Sequence, residues 1–261
     1  MSYTDIILEH RDSVSWLYFN RPQSLNAMSL KCMVELKDAF AVLRDRVETR
    51  VVVLSGKGRA FCAGADLGGA NPSRSEPTGE PGFLDLAAAM EEALNSLDKP
   101  LIAAVNGICC AGGLEMALMC DFIVAAASAR LGDAHANFAA MPGGGATARL
   151  PRAVGTTMAK YMMFTGDLFS AAQMLDAGLV TRVVEDASLE ADVQALAVKI
   201  GAKSPLGLKR MKKLLDQAYD LPLPLAVNLE KLTSAEHMRS WDANEGGRAF
   251  IEKRAPEYRG Y

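Results

Sequence analysis

The chain has 261 residues, of which half are hydrophobic and 23% are charged, as in an ordinary soluble globular protein. Its net charge of −3 shows no basic excess, which argues against nucleic acid as a main partner. Five cysteines form an odd set without a CxxC pair. This pattern indicates reduced thiols and excludes both a zinc-site spacing and a small disulfide framework.

The hydrophobic segments of the chain predict neither export nor a membrane span. The first residues, MSYTDIILEHRD, lack the basic and apolar regions of a secretory signal. The most hydrophobic stretch, 101–127, contains Asn106, Glu115 and Asp121 and is interrupted by glycines. A bilayer would tolerate these polar groups poorly, so we expect buried core here. The sequence therefore predicts a cytoplasmic protein.

Strands alternate with helices in the first part of the chain. Alternation and β-branched or aromatic residues predict strands at 4–9 and 13–19. A continuous apolar run at 50–56 predicts a strand buried on both faces, and further strands are predicted at 101–105 and 121–126. Helices are predicted after a cap at Ser29, at 83–98 and at 112–119. The Gly-, Pro- and Ser-rich segment 68–82 is expected to be a mobile surface loop. This alternation predicts an α/β core with crossover connections.

From about residue 144 onward helical patterns dominate, with no Pro-rich linker or long charge run that would divide the chain. One strand is expected near 179–184. The predicted helices are 156–164, 170–176, 188–202, 206–217, 223–239 and 242–253. The α/β core is therefore expected to end in a helical section that packs against itself or a neighbour.

Two clusters of small residues each follow a predicted strand, at 61–67 (FCAGADL) and at 106–115 (NGICCAGGLE). Glycine and alanine at such points let a ligand approach the main chain closely. The second cluster opens a helix, whose first N–H groups lack intrahelical partners and carry partial positive charge. The clusters could thus offer two donors to one oxygen that becomes negative, although tight packing alone also explains such turns. Neither matches a phosphate-loop or dinucleotide pattern.

These clusters resemble two patterns of the crotonase (enoyl-CoA hydratase/isomerase) family, F-x-A-G-A-D-L/I and A-x-x-G-x-x-x-G-G-x-E. Further pieces occur in the family's order: NRP at 20–22, LNA at 25–27, PGGG at 142–145 and FIEKR at 250–254. The resemblance spans essentially the whole chain. It implies a spiral core of repeated ββα units at 1–200, a C-terminal helical trimerisation region at 201–261, and a homotrimer or a dimer of trimers.

The resemblance also implies a binding site for an acyl-CoA thioester. The oxyanion donors would be the backbone N–H groups of Ala65 and Gly112. Phe250 and Lys253 would reach the CoA of a neighbouring subunit, or would simply end a capped terminal helix. No metal is implied, and no cofactor other than the coenzyme A of the substrate. The CoA-binding residues would be Arg21, Leu25, Ala27, Ala63, Ala65, Asp66, Leu67, Gly112, Phe250 and Lys253.

Glu115 occupies the family's first catalytic carboxylate position, about one helical turn past Gly112. The alternative is a salt-bridged surface glutamate, which its apolar neighbours disfavour. Hydratases of the family usually carry a second glutamate seven positions before a Pro-Gly turn, and here that position is His135. Histidine can exchange a proton near neutral pH, so acid/base function survives in principle. Asp133 would either orient the ring or face solvent.

The preferred interpretation is an enoyl-CoA hydratase-like enzyme, in which Glu115 and His135 handle the water and its protons. A double-bond isomerase or a C–C bond hydrolase of the same family is an alternative, although 143–145 lacks the acidic residue that such a hydrolase employs. A weakly catalytic acyl-CoA-binding or RNA-binding relative is another, with RNA disfavoured by the acidic balance. The acyl pocket is expected along 68–82 and the helix after it, at Phe83, Leu84, Leu86 and Met90.

Overall fold

The computed structural model describes residues 3–68 and 81–261. The strands in these ranges are β1 (Ile6–Arg11), β2 (Val14–Phe19), β3 (Val51–Gly56), β4 (Ala60–Cys62), β5 (Leu101–Val105), β6 (Ile108–Cys110), β7 (Phe122–Ala126), β8 (Arg130–Gly132), β9 (Phe169–Ser170) and β10 (Arg182–Val184). The helices are α1 (Leu30–Asp45), α2 (Phe83–Asn95), α3 (Gly112–Leu118), α4 (Ala146–Thr165), α5 (Ala171–Asp176), α6 (Leu189–Gly201), α7 (Pro205–Ala218), α8 (Leu223–His237) and α9 (Trp241–Glu252).

The described strands form one large and one small sheet. The large sheet has the order β1-β2-β3-β5-β7-β10 and is parallel except for the β1–β2 pair. The small sheet has the order β4-β6-β8-β9, with β4, β6 and β8 parallel and β9 antiparallel. Three successive ββα units therefore appear, β3-β4-α2, β5-β6-α3 and β7-β8-α4. Each contributes its first strand to the large sheet and its second to the small one, as predicted for a spiral.

The first part of the chain folds largely as its pattern predicts. The continuous apolar run of β3 is buried along its whole length, between β2 and β5. Helix α1 begins after Ser29, whose Oγ accepts a hydrogen bond from the N–H of Cys32 at 3.0 Å. The helix ends at Asp45, and Val47, two residues past its end, is 87% exposed.

Helix α4 begins ten residues earlier than the predicted helix at 156. Its backbone breaks at Gly155, which has φ +77° and ψ 156°, and Pro151 lies inside its first part. Proline and glycine both interrupt the helical pattern in the sequence, which is why only the second part was predicted.

The C-terminal helices α7 to α9 leave many large apolar side chains uncovered in the single chain. Helix α8 buries none of its residues completely. Exposed members of this set are Met211, Leu215, Tyr219, Leu223, Leu225, Leu232, Met238, Phe250 and Ile251. An apolar surface of this extent is typical of an interface between protein subunits.

In the described ranges, no helix has both the length and the hydropathy that crossing a bilayer requires. The division at residue 200 stays a prediction.

Candidate active site

The candidate site lies where three parallel strands of the small sheet end. Ala65 follows β4, Gly112 follows β6 and His135 follows β8. These strands are neighbours in the order β4-β6-β8. Because the carboxyl ends of adjacent parallel strands meet at one edge of a sheet, the three following segments are brought together. The sequence predicts that the segments of Ala65 and Gly112 converge, but it does not predict the three short strands that bring them together with His135.

The bends that carry Ala65 and Gly112 lie against each other. A Cβ atom added to Gly112 would be 3.7 Å from the nitrogen of Ala65, and one added to Gly64 would be 3.2 Å from the nitrogen of Gly112. Neither N–H donates a hydrogen bond to an acceptor within the described residues. Two backbone N–H groups without an acceptor among the described residues therefore lie on adjoining bends. That both bind one ligand oxygen stays a prediction.

Ala111 gives the second bend an unusual backbone. Its φ of 49° and ψ of −125° are values that residues with a Cβ rarely adopt. Its N–H donates to the carbonyl of Gly132 in the neighbouring segment, at 3.3 Å. This conformation turns the chain from β6 into α3, so Gly112 becomes the first residue of the helix. A strained non-glycine residue at this point is typical of functional sites.

Glu115 is a buried carboxylate, 6% exposed, on the first turn of α3. Its Oε1 accepts hydrogen bonds from the N–H of Gly144 at 2.7 Å and of Ala146 at 3.2 Å. Its Oε2 accepts no hydrogen bond within the described residues and faces Nε2 of His135 at 3.9 Å. One oxygen thus anchors the side chain while the other is available for chemistry. The alternative of a salt-bridged surface glutamate is wrong.

His135 lies between two carboxylates. Its Nδ1 is 3.1 Å from Oδ2 of Asp133, and its Nε2 faces Glu115. Asp133 is 1% exposed, so it does not face solvent. Burial alone would lower the pKa of His135, but the hydrogen bond to Asp133 and the charges of Asp133 and Glu115 outweigh it and raise the pKa above the ordinary value.

The turn at 143–145 supports Glu115 rather than supplying a further acid. A Cβ on Gly144 would lie only 3.1 Å from the Glu115 carboxyl carbon, so glycine gives the carboxylate its room. Arg149 donates to the carbonyl of Gly144 at 2.8 Å and pairs with Glu91 of α2 at 2.7 Å. Glycine in this turn is the sequence signal for the close approach, and Arg149 supports the turn from α4.

The two segments that were predicted to hold CoA lie side by side. Residues 25–28 and 63–66 are joined by backbone hydrogen bonds from Ala63 to Leu25, from Met28 to Gly64 and from Asp66 to Met28. The Arg21 guanidinium binds the carbonyl of Ala27 and pairs with Asp66 at 2.7 Å. Arg21 therefore ties these segments together, a supporting role that the sequence did not reveal.

Asn26 lies inside the LNA motif at 25–27, but the sequence analysis assigns it no role. It is buried; its Oδ1 accepts from the N–H of Arg21, and its Nδ2 donates to the carbonyls of Lys57 and Ala60. It and Leu25 both have positive φ, near 50–59°. A side chain amide that satisfies three backbone groups fixes this loop. The signal was present, since asparagine favours left-handed positions in turns.

Comparisons with known proteins agree with this arrangement. The family model for enoyl-CoA hydratase/isomerase matches residues 9–261. The chain belongs to this family. It is 33% identical over 259 residues to the crotonyl-CoA hydratase of Syntrophomonas wolfei, covering 99% of each chain. It is 34% identical to the 2,3-dehydroadipyl-CoA hydratase of Escherichia coli, covering 98% of this chain and 99% of the relative.

Solved structures of the enoyl-CoA hydratase/isomerase family share the fold. The enoyl-CoA hydratase of Bacillus anthracis superposes with a TM-score of 0.90 at 34% identity, over 98% of this chain and 100% of the other. The enoyl-CoA hydratase of Mycobacterium tuberculosis superposes with a TM-score of 0.89 at 31% identity. The predicted crotonase-like fold and family are therefore confirmed.

Phe250 and Lys253, the two C-terminal residues predicted to contact CoA, lie more than 100 positions after His135 in the sequence. Lys253 ends α9 in a left-handed conformation with φ 54°, so the capped helix end is present. Phe250 is 85% exposed. The predicted contact of these residues with the CoA of a neighbouring subunit stays a prediction.

The expected acyl-binding wall is described in part. Leu84 is 62% exposed, and a Cβ on Gly143 would be 3.5 Å from its Cδ2, so it lies beside the glycine turn. Met90, in contrast, is buried in the core. Residues 69–80, the greater part of the predicted loop at 68–82, lie outside the described residues.

A cavity of about 1030 Å³ lies elsewhere, along α7 and the ends of α2 and α3. Its walls include Leu118, Arg152 and Met211 but neither Glu115 nor His135. We take the Glu115 group, with its adjacent backbone donors, as the candidate active site rather than this cavity. Within residues 3–68 and 81–261, no cluster of three or more His, Cys, Asp or Glu is placed to hold a metal ion.

Proposed function

We propose that this protein adds water to the double bond of a 2-enoyl-CoA thioester. The observation that carries the proposal is the pair of available N–H groups on Ala65 and Gly112, on bends that lie against each other. The buried Glu115 and the partly buried His135 belong to the same strand edge. Full-length relatives named as hydratases support the same reaction.

In the proposed reaction, the thioester oxygen binds both N–H groups. Attack of water on C3 pushes electrons through C2 onto that oxygen, forming an enolate. The donors then stabilise charge that develops only as the reaction proceeds, and one such donor is typically worth about 10²–10³ in rate. The partial positive charge at the start of α3 adds to this stabilisation.

Water is activated between Glu115 and His135. The 3.9 Å between Oε2 and Nε2 leaves these two atoms without a direct hydrogen bond, so both can serve a water and the substrate carbons. Oε1 of Glu115 is held by two backbone N–H groups, which keeps Oε2 in place during proton transfer. Two proton carriers suit hydration, in which one proton leaves the water and one reaches C2.

The finer assignments follow from the family and the site. CoA is proposed to run along the Arg21–Ala27 and Ala63–Leu67 segments, and no cofactor beyond the CoA of the substrate is proposed, because backbone donors stabilise the enolate. The exposed apolar side chains of α7 to α9 support an association of subunits, and the family resemblance is the basis for proposing a homotrimer or a dimer of trimers. All five cysteines are free thiols, which supports the cytoplasm as location. Light scattering in solution tests the assembly: a mass three or six times that of the chain is expected.

Incubation with crotonyl-CoA tests the proposal, since hydration removes the absorbance of the conjugated thioester. We expect enzyme-dependent loss of absorbance and 3-hydroxybutyryl-CoA as the product. Glu35→Gln is a matched control: Glu35 is also buried and accepts backbone N–H groups, but of Thr4, Asp5 and Ile6. Movement of the double bond in a 3-enoyl-CoA, without hydration of any 2-enoyl-CoA, would replace the hydratase with an isomerase.

A further inference from the structure

We propose that Asp133 is a positioning residue, which holds His135 so that its Nε2–H delivers the proton to C2 while Glu115 takes the proton from water. This inference rests on the proposed hydration and assigns the direction of its proton transfers. It concerns the position where hydratases of the family usually carry a second glutamate.

The contacts of Asp133 are those of a residue that orients a ring. Its carboxylate is 1% exposed, and both of its oxygens bind His135. Oδ2 lies 3.1 Å from the ring Nδ1, and Oδ1 accepts the backbone N–H of His135 at 3.3 Å. The intervening Ala134 has φ 59°, a conformation that costs an alanine about 1 kcal/mol or more. The backbone is thus bent into a strained turn that brings the two side chains together.

This geometry fixes which ring nitrogen carries which proton. An ionised carboxylate only accepts hydrogen bonds, so Nδ1 must be the protonated nitrogen that faces Asp133. Nε2 then faces Glu115, with a proton when the ring is charged and a lone pair when it is neutral.

The charges around the ring favour its protonated form. Among the described residues, the charged groups that face it are Asp133, before the short helical turn His135–Phe138, and Glu115, on α3. Cys110, at the end of β6, is near Asp133; burial, and then the charge of Asp133, raises the pKa of its thiol, so it stays neutral. Between two carboxylates, the charged ring is stabilised and acts as an acid.

The proton transfers balance in this assignment. Glu115 Oε2 takes a proton from water as the water oxygen bonds to C3 and the electron pair of the double bond moves towards the thioester oxygen. The enolate then collapses, and C2 takes the proton from His135 Nε2. Glu115 is left protonated and the ring neutral, and transfer of a proton from Oε2 to Nε2 through the next water restores both.

Asp133→Asn tests the assignment without removing the ring. We expect kcat/KM for crotonyl-CoA to fall by about 10- to 100-fold, the size of effect seen when the partner that orients a metal-bound histidine is lost. The alkaline limb of its pH profile should move to lower pH, because the ring loses a stabilising charge. The Glu35→Gln control should keep the alkaline limb of the unaltered protein.

A reversal of sign separates positioning from a structural effect. In His135→Glu, the new carboxylate would lie against Asp133, so removing the charge with Asp133→Asn should raise activity in that background while lowering it in the unaltered protein. A merely structural Asp133 would lower activity in both backgrounds. Equal loss in both would overturn the inference.

Nitrogen NMR of the free protein gives a readout that does not need turnover. The chain has three histidines, so His135 can be assigned from its variants. We expect the neutral ring to carry its proton on Nδ1, and Asp133→Asn to lower the pKa of His135. An unchanged titration and tautomer in Asp133→Asn would refute the positioning role. Failure of every 2-enoyl-CoA to react, with the NMR result as expected, would refute the hydration alone.

Discussion

Oε2 of Glu115 and Nε2 of His135 face each other at 3.9 Å, although their residues follow different strands of the small sheet. Within residues 3–68 and 81–261, no backbone group holds either atom: Glu115 is anchored through Oε1, and the ring is anchored through Nδ1. The site therefore presents one free carboxylate oxygen and one free ring nitrogen to the same space. Such a pair can exchange protons with a bound water.

Glu115→Gln should abolish most hydration while leaving the fold intact. The amide oxygen of glutamine can still accept from Gly144 and Ala146, but the side chain can no longer take a proton from water. A loss of about 10²–10⁴ in kcat is expected. Crotonyl-CoA turnover and thermal unfolding together check this. Retention of more than a tenth of the activity would remove Glu115 from the mechanism.

Gly112→Ala should weaken catalysis through the main chain. The new Cβ would lie 3.7 Å from the nitrogen of Ala65, the other donor proposed for the thioester oxygen, and 2.9 Å from the flexible end of Met28. The Met28 side chain can shift, so the fold should persist. We expect kcat/KM to fall by about 10²–10³, the worth of one donor.

Gly247→Ala is the control for that substitution. Gly247 is exposed on α9, and an added Cβ meets no atom within 4 Å among the described residues. Activity should be unchanged, and stability should rise by about 0.5–1 kcal/mol because alanine favours a helix. Equal activity losses in both alanine variants would argue against an oxygen-binding role for Gly112.

Gly113→Ala should instead destabilise the fold. Its Cβ would meet the carbonyl oxygen of Cys62 and would lie 2.9 Å from the Cys62 Cβ, so β4 and α3 would have to separate. Overpacking of this kind costs typically about 1–3 kcal/mol, and a rigid backbone contact lies at the upper end. Chemical denaturation measures the loss. A free energy of unfolding equal to that of the unaltered protein would show that the contact is tolerated.

The raised pKa of His135 makes its contribution to stability depend on pH. The folded pKa exceeds the unfolded value of about 6.5, so the contribution is complete below that pH and is lost as pH rises through the folded pKa. The stability difference between the unaltered protein and His135→Gln should therefore shrink towards alkaline pH. Denaturation at a series of pH values measures it. A difference that grows with pH would contradict the sign.

The family and the larger sheet could be predicted from the sequence, because they rest on long apolar runs such as β3 and on glycine-rich motifs that match over the whole chain. The strands β4, β6 and β8 have three residues each, too few to show a period. They are nevertheless the strands that bring Ala65, Gly112 and His135 to one edge.

The contact of Asp133 with His135 and the ion pair of Arg21 with Asp66 could not be predicted from local sequence patterns either. Whether Asp133 faces the ring or solvent depends on the left-handed conformation of Ala134, a position where the sequence offers no glycine to mark it. The pairing of Arg21 with Asp66 joins residues 45 positions apart, which local patterns do not register. Both depend on tertiary contacts rather than on propensity.

Infrared spectroscopy of bound crotonyl-CoA, labelled with carbon-13 at the thioester carbonyl, tests the binding of that oxygen most directly. The Glu115→Gln variant should hold the substrate without turnover. Two N–H donors from Ala65 and Gly112 would polarise the carbonyl and move its stretching band to lower frequency, and Gly112→Ala in the same background should reverse much of the shift. A bound thioester whose band stays at its frequency in water would contradict the account.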